Sequence, residues 1–314
     1  MTPAADVKTA LVFPGQGSQA VGMGHDLRDA YPAAAAIFAA ADEILGRPLS
    51  KTIFEGPEEA LKETANTQLA VFVMNHVCYS AYAAAGGVFD FALGHSLGEY
   101  NALVAAGATD FETALRLVEK RATFMNEQAQ ARPGKMLAVL GLSDDRVAEV
   151  FGQFSGHGTA EIANYNCPGQ VVISGDGYAM DEMAELLTQA GAKKVVPLKV
   201  SGAFHSPLMA EAERRLIAVL ETIDFADTAV PVCSNFTGLL STNGEALKES
   251  LHWQMTMPVQ WTKSIETVAA AGAGRFVETG PGRVLTGLIK RITPEDVELI
   301  NINDKETLET WQRG

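Results

Sequence analysis

The sequence predicts an α/β protein with a mostly parallel sheet, interrupted by a small inserted subdomain. Two observations carry this. Apolar runs suited to buried strands, Ala10 to Phe13, Phe89 to Leu93 and Arg275 to Glu278, alternate with longer stretches of helical periodicity. In the middle third, Met136 to Leu140, Asp144 to Phe154, Glu161 to Asn164, Val171 to Ser174, Tyr178 to Gln189 and Lys194 to Leu198 read strand, helix, strand, strand, helix, strand. That is the order of a split βαβ, ferredoxin-like unit.

Along the chain, the first strand runs into the loop Pro14-Gly15-Gln16-Gly17-Ser18-Gln19, and Ala33 to Leu45 has a helical pattern. Leu69 to Phe89 approaches membrane length, but Asn75, His76, Ser80 and paired glycines interrupt it, so a buried helix without membrane insertion is expected. Glu99 to Ala106 is helix-compatible. Asp110 to Gln130 is a helix with Phe111, Leu115, Val118, Ala122 and Met125 on one face, and Thr109 with Glu112 has the spacing of a capping box. Arg132-Pro133-Gly134 and Ser201-Gly202 punctuate the middle unit. The insertion is therefore placed at 133–200, inside a discontinuous larger domain of residues 1–132 and 201–314.

Composition narrows the function classes. A chain of 314 residues with 47% hydrophobic content can bury one large core, and a net charge of −14 argues against a general nucleic-acid binder, which needs a cationic surface. Met1 to Thr9 carries one lysine and no long apolar run, so no secretory signal is read and a cytoplasmic location is expected. Cys78, Cys167 and Cys233 stand singly, as reduced core thiols do, and no metal site is expected.

Gly94-His95-Ser96-Leu97-Gly98 lies between an apolar run and a helix-compatible stretch. A nucleophile elbow needs that context, because small residues beside the serine permit the strained turn that exposes its hydroxyl. A serine also needs a base. Of six histidines, His205 sits in Gly202-Ala203-Phe204-His205-Ser206-Pro207, between an apolar strand and a helix, where active-site loops collect in α/β folds. His95 abuts the serine and is expected to point elsewhere. The glycines of the Gln16 loop suit an oxyanion hole shared with the N–H of Leu97. Gly15-x-Gly17-x-x-Ala20 also fits a loose dinucleotide fingerprint, although no second strand ending in an acid follows at the needed spacing. Arg121 continues the row Ala114, Leu117, Arg121, Phe124, so its stem lies along an apolar strip. It either snorkels to water or holds a substrate carboxylate.

At these residues the chain resembles the malonyl-CoA:acyl carrier protein transacylases of fatty acid synthesis and the related acyltransferase domains of polyketide synthases. The resemblance spans nearly the whole length. It rests on Phe13 to Gln19, Gly94 to Tyr100, Arg121 with Phe124-Met125, Asn164-x-Asn166-x-Pro168-Gly169-Gln170, Gly202 to His205, Pro258-Val259-Gln260-Trp261 and Glu278-x-Gly280-Pro281-Gly282. It implies a hydrolase-like α/β domain with a ferredoxin-like insertion. It also implies Ser96 as nucleophile, His205 as base, the N–H groups of Gln16 and Leu97 as oxyanion hole, and Arg121 as clamp on the malonyl carboxylate. His95, Met125, Asn166 and Phe204 would line the substrate site, and a main-chain carbonyl near Gln260 would orient the histidine. Malonyl-CoA and acyl carrier protein are the implied partners, the coenzyme A thioester being a substrate rather than a cofactor. A monomer is expected. Lys193 with Lys194 and Lys290 with Arg291 are candidates for docking an acidic partner. Two rivals remain: a serine esterase or phospholipase with Asp176 as its acid, and a non-catalytic carrier-binding module.

Overall fold

In the computed structural model, which describes residues 7–293 and 295–313, the strands form two sheets. The stretch through residue 6, most of that read above for a signal, lies outside the described residues. In chain order the strands are β1 (Lys8–Phe13), β2 (Phe91–Gly94), β3 (Gly134–Leu140), β4 (Ala160–Cys167), β5 (Gln170–Asp176), β6 (Lys194–Pro197), β7 (Val232–Cys233), β8 (Leu240–Ser241), β9 (Ala273–Thr279) and β10 (Glu298–Ile302). The larger sheet has the order β10-β9-β1-β2-β7-β8, parallel except where β8 pairs with β7. The smaller sheet is antiparallel in the order β4-β5-β3-β6, with helices Asp144–Gln153 and Gly177–Gln189 between its strands. This is the ferredoxin-like order, and all four strands come from the stretch 134–197.

The central strand explains why its sequence is uninterrupted by polar residues. β1 lies between β2 and β9, and Ala10, Leu11, Val12 and Phe13 have no exposed surface. Both faces of a parallel sheet are covered, so no residue of the run faces water. Helix Thr64–Ala84 packs beneath it, burying Leu69 to Asn75, and starts five residues before the apolar run suggests. β2 begins at Phe91 rather than Phe89, because Asp90 is used at the strand's edge, where its carboxylate accepts the Thr9 N–H at 2.8 Å.

Register then fixes where the loops emerge. Phe13 pairs with Gly94, and Val12 with Glu278, so the carboxyl ends of β1, β2 and β9 lie side by side. Ligand sites in open α/β sheets form there. The chain leaving β1 turns into helices His25–Ala30 and Pro32–Leu45 and makes no strand before β2, which removes the dinucleotide-fingerprint alternative. Asp42, in the second of those helices, spends its carboxylate on Ser50 N–H and Oγ.

The smaller sheet is tied by main chain to the segment before helix Trp261–Ala270. Tyr165 N–H donates to the Val259 carbonyl at 3.0 Å, and Val259 N–H to the Ala163 carbonyl at 2.9 Å, making an isolated parallel bridge at Asn164 and Val259. Helix Phe111–Ala131 differs from the sequence reading at its start. Asp110, not Thr109, is the N-cap, and its carboxylate accepts Thr113 N–H and Oγ1, each at 2.8 Å. A carboxylate is the stronger acceptor for an exposed N–H next to the positive end of the helix dipole. Those bonds hold the Asp110 pKa below its ordinary value. Asp110→Ala is expected to lower unfolding free energy by ~1 kcal/mol at neutral pH. The stabilisation exists only while Asp110 is ionised, so in urea titrations the deficit is expected to shrink as pH falls below the usual carboxylate range.

Candidate active site

The turn after β2 can close only without side chains at its flanks. A Cβ on Gly94 would lie 2.0 Å from the Gly98 carbonyl carbon and oxygen, and one on Gly98 would lie 2.1 Å from the Phe13 carbonyl oxygen. Between them Ser96 is forced to a φ of 50°, in the left-handed region a serine adopts only under constraint. The constraint includes a hydrogen bond of 2.6 Å from Ser96 N–H to Asn235 Oδ1, while Asn235 Nδ2 donates to the Gly94 carbonyl at 2.6 Å.

His205 arrives from the loop after the smaller sheet, also at positive φ, 55°. Gly202 lets this loop sit against Ala129, where a Cβ would come within 2.5 Å, and Ser206 Oγ donates back to the Ala203 carbonyl at 2.7 Å. The result is a Ser96 Oγ to His205 Nε2 distance of 2.8 Å. His205 Nδ1 lies 2.8 Å from the main-chain carbonyl of Gln254. A carbonyl only accepts, so Nδ1 carries the proton and Nε2 is left to accept from the serine. Burial and the nearby Arg121 cation push the His205 pKa down to about 3, so the imidazole is neutral at pH 7.

The orienting carbonyl corrects the expectation for Gln260. That residue is six positions away, starting helix Trp261–Ala270; its carbonyl accepts Ser264 N–H and Oγ, and its N–H donates to Asn235. Gln254 instead lies in the irregular turn after helix Gly244–His252, where no periodic signal marks it.

Arg121 is 1% exposed. Its Nη2 donates to Ser96 Oγ at 3.1 Å, its Nε to Gln254 Oε1 at 3.2 Å and its Nη1 to Gln68 Oε1, while the guanidinium lies 5.5 Å from the centre of the Tyr100 ring. None of these partners is a carboxylate. The cation is held directly by neutral groups, and Glu99 acts on it only through space, so no carboxylate is bonded to a guanidinium that touches Ser96.

Pro14, Gly15 and Gln16 begin the opposite wall. Asn75 Nδ2 holds the Pro14 carbonyl at 2.9 Å, and a Cβ on Gly15 would lie 2.6 Å from the His95 carbonyl oxygen. Among the described residues, no acceptor takes the N–H of Gln16 or of Leu97. A cavity of about 210 Å³ opens here. Gln16, His95, Ser96, Met125, Asn166, Phe204 and His205 all line it. His95 does turn away from Ser96, its Nε2 lying 2.9 Å from Asn166 Oδ1 and its ring against Trp261. Leu97 and Arg121 sit behind the wall. Asp176 does not reach it, because its carboxylate accepts Thr159 N–H at 2.6 Å within the smaller sheet.

Sequence reading missed Asn235, Gln254, Gln68 and Glu99. Each is a buried polar residue without a periodic or motif signal, apart from Glu99, which directly follows the elbow. Among the described residues no group of three or more His, Cys, Asp or Glu side chains is arranged to hold a metal ion. No described helix is long and apolar enough to cross a membrane.

Residues 10–314 match the acyl transferase domain family. The malonyl CoA-acyl carrier protein transacylase of Bacillus subtilis is 43% identical over 96% of this chain and 95% of its own. The chain belongs to this transacylase family of acyl transferases. The corresponding Escherichia coli transacylase is also 43% identical, over 90% of this chain and 92% of its own. Among solved structures, a type II PKS acyl-carrier protein in complex with its malonyl-transacylase superposes with a TM-score of 0.93 at 38% identity, covering 98% of this chain and 99% of that one. An acyl carrier protein S-malonyltransferase from Vibrio cholerae gives 0.92 at 38% identity, covering 97% and 99%.

The depressed His205 pKa has a consequence for the transacylase's stability. Folding keeps the ring neutral, so its contribution is fully present above the unfolded value of ~6.5 and is lost as pH falls through the folded value. Wild type is therefore expected to lose stability relative to His205→Asn as pH drops from 6.5 towards 3, read by denaturant melts of both proteins at each pH. Parallel pH profiles would refute the assignment of a buried neutral imidazole.

Proposed function

We propose that this transacylase moves a malonyl group from malonyl-CoA to the phosphopantetheine thiol of an acyl carrier protein, supplying fatty acid synthesis. The observation that carries the reading is Arg121, a buried cation with no carboxylate bonded to it among the described residues, donating to the same Ser96 Oγ that lies 2.8 Å from His205 Nε2. An acyl group that ends in a carboxylate matches that pairing. The carrier protein in complex with the structural relative supports the second substrate.

In the first half-reaction Ser96 Oγ attacks the thioester carbonyl carbon as its proton passes to His205 Nε2. The Gln254 carbonyl stabilises the imidazolium through Nδ1–H, and the free N–H groups of Gln16 and Leu97 receive the oxyanion. Collapse breaks the carbon–sulfur bond, and the departing thiolate takes the proton from Nε2, leaving malonyl-Ser96. The carrier thiol then repeats the steps in reverse, giving its proton to His205 while Ser96 regains one. The malonyl carboxylate pairs with Arg121 in both halves, favoured by a dry, preorganised guanidinium. Side chains and main-chain groups handle every proton and charge, so the reading is of a cofactor-free enzyme, working as a cytoplasmic monomer.

The esterase rival has lost its acid, since Asp176 is committed elsewhere. For docking, Lys193, Lys194 and Lys290 are exposed and lack a carboxylate partner among the described residues. Arg291 is different: it braces the turn between β4 and β5 through Gln170 Oε1 and the Pro168 carbonyl. Neutralising the three lysines is expected to raise KM for the carrier protein without changing acylation by malonyl-CoA; an unchanged KM would refute this docking face.

Arg121→Ala is expected to cut malonyl transfer by roughly thirtyfold to several thousandfold, the ~2 to 5 kcal/mol typical of a truncated buried charge pair, while gaining relative activity with acetyl-CoA. An unchanged malonyl-to-acetyl preference would refute the clamp. Intact mass after mixing with malonyl-CoA is expected to show an adduct on wild type, absent in Ser96→Ala, that moves to added holo carrier protein. Coenzyme A release with neither adduct nor transfer would point to hydrolysis.

A further inference from the structure

One buried carboxylate next to the reacting pair has no part in the proposed reaction. Glu99 is 2% exposed and sits in the first turn of helix Gly98–Ala106. Its Oε1 accepts the main-chain N–H of Asn235 at 3.0 Å, and its Oε2 accepts Gln254 Nε2 at 2.6 Å. These two partners hold the reacting side chains: Asn235 receives Ser96 N–H on Oδ1, and Gln254 receives His205 Nδ1–H on its carbonyl. We propose that Glu99 is a positioning residue that, as a double acceptor, fixes Asn235 and Gln254 and through them Ser96 and His205 in the arrangement that permits acyl transfer. The proposal rests on the reading of Ser96 and His205 as the acyl-transfer pair.

The network has one allowed direction. Arg121 Nε is a donor only, so it must meet Gln254 Oε1, and this turns Gln254 Nε2 towards Glu99 and towards the Ser96 carbonyl, 3.0 Å away. Glu99 is thus faced by two donors. An ionised carboxylate satisfies both, whereas a side-chain amide of the same shape must point its NH2 at one of them. Flipping Gln254 does not help, since that would set its NH2 against Arg121. Protonating Glu99 has the same effect as the amide, because the acid hydroxyl also needs an acceptor.

The charge balance agrees with this geometry. Arg121 and Glu99 act on each other through space, and the other titratable groups facing Glu99 are Tyr100, on its own helix, and Cys233, on β7. Burial raises both of those to about 12, so they stay neutral near pH 7. Burial raises Glu99 to about 7, against the pull of its two hydrogen bonds and of Arg121. With His205 held near 3, a rate limb near neutrality belongs to Glu99.

The test compares wild type, Glu99→Gln, Gln254→Leu and the double variant by intact-mass acylation with malonyl-CoA and by steady-state kinetics between pH 5.5 and 8.5. Gln254→Leu keeps the main-chain carbonyl that orients His205. Glu99→Gln is expected to lose roughly 10- to 100-fold in kcat, the size expected for one buried hydrogen bond to a charged group, with little change in KM or melting temperature. The acid limb near pH 7 is expected in wild type and absent in Glu99→Gln. Gln254→Leu is expected to lose a similar factor, and the double variant to be no slower than the slower single. Acylation of Glu99→Gln at the wild-type rate, an acid limb persisting in it, or losses that multiply in the double variant would each overturn the proposal. If Glu99→Gln does not fold, Gln254→Leu and the wild-type pH profile decide: wild-type kcat in the former, or no limb in the latter, overturns it. A wild type that forms no Ser96 adduct overturns the acyl-transfer reading and this inference together; equal acylation of wild type and Glu99→Gln overturns this inference alone.

Discussion

The close approach of three backbone segments at the carboxyl edge of the larger sheet sets everything else in the site. Gly98 touches the end of β1 and Gly94 touches Gly98, at distances no Cβ tolerates. That contact bends the chain sharply enough to lift Ser96 out of the sheet, and Gly15 lets the Gln16 loop lie against the elbow at the His95 carbonyl. The strain at Ser96 is held by Asn235 rather than relieved, so its hydroxyl is presented by the fold itself.

The electrostatics follow from burying this apparatus. Burial first, and the Arg121 cation second, suppress protonation of the His205 ring. Chemistry nevertheless requires that ring to become charged for a moment. In the proposed reaction a substrate carboxylate paired with Arg121 offsets the cation's smaller share of that suppression, while burial still holds the ring pKa down, so the group that identifies the acyl chain also eases formation of the imidazolium. On the proposed reaction, specificity and rate draw on one interaction, and an uncharged acyl group lacks both benefits.

Much of this was legible in the sequence. Strands of a covered parallel sheet appear as unbroken apolar runs, and the inserted unit announces itself by the rhythm of its six elements. Ser96 and His205 were readable because elbows and βα loops have local signatures, and Arg121 because a charge in an apolar helical row demands a reason. Gln254, Asn235 and Gln68 were not. They act through hydrogen bonds across gaps of 49 to 158 residues, with no spacing rule to betray them. The placing of the orienting carbonyl at Gln260 failed for that reason: the motif Pro258 to Trp261 is visible, but main-chain carbonyls in the irregular turn before it leave no mark in residue type. The Thr109 cap failed for a simpler reason, since adjacent Thr and Asp compete for one N–H and the carboxylate wins.

The main-chain bridge at Asn164 and Val259 has a bearing on how one wall of the cavity is held. Met136, Val172 and Leu198 on the inserted unit face the cavity from one side, and Val284 and Leu288 from the other. The bridge ties β4, which lines the cavity through Asn164 and Asn166, to the segment before helix Trp261–Ala270, so that wall is held by main chain as well as by side chains.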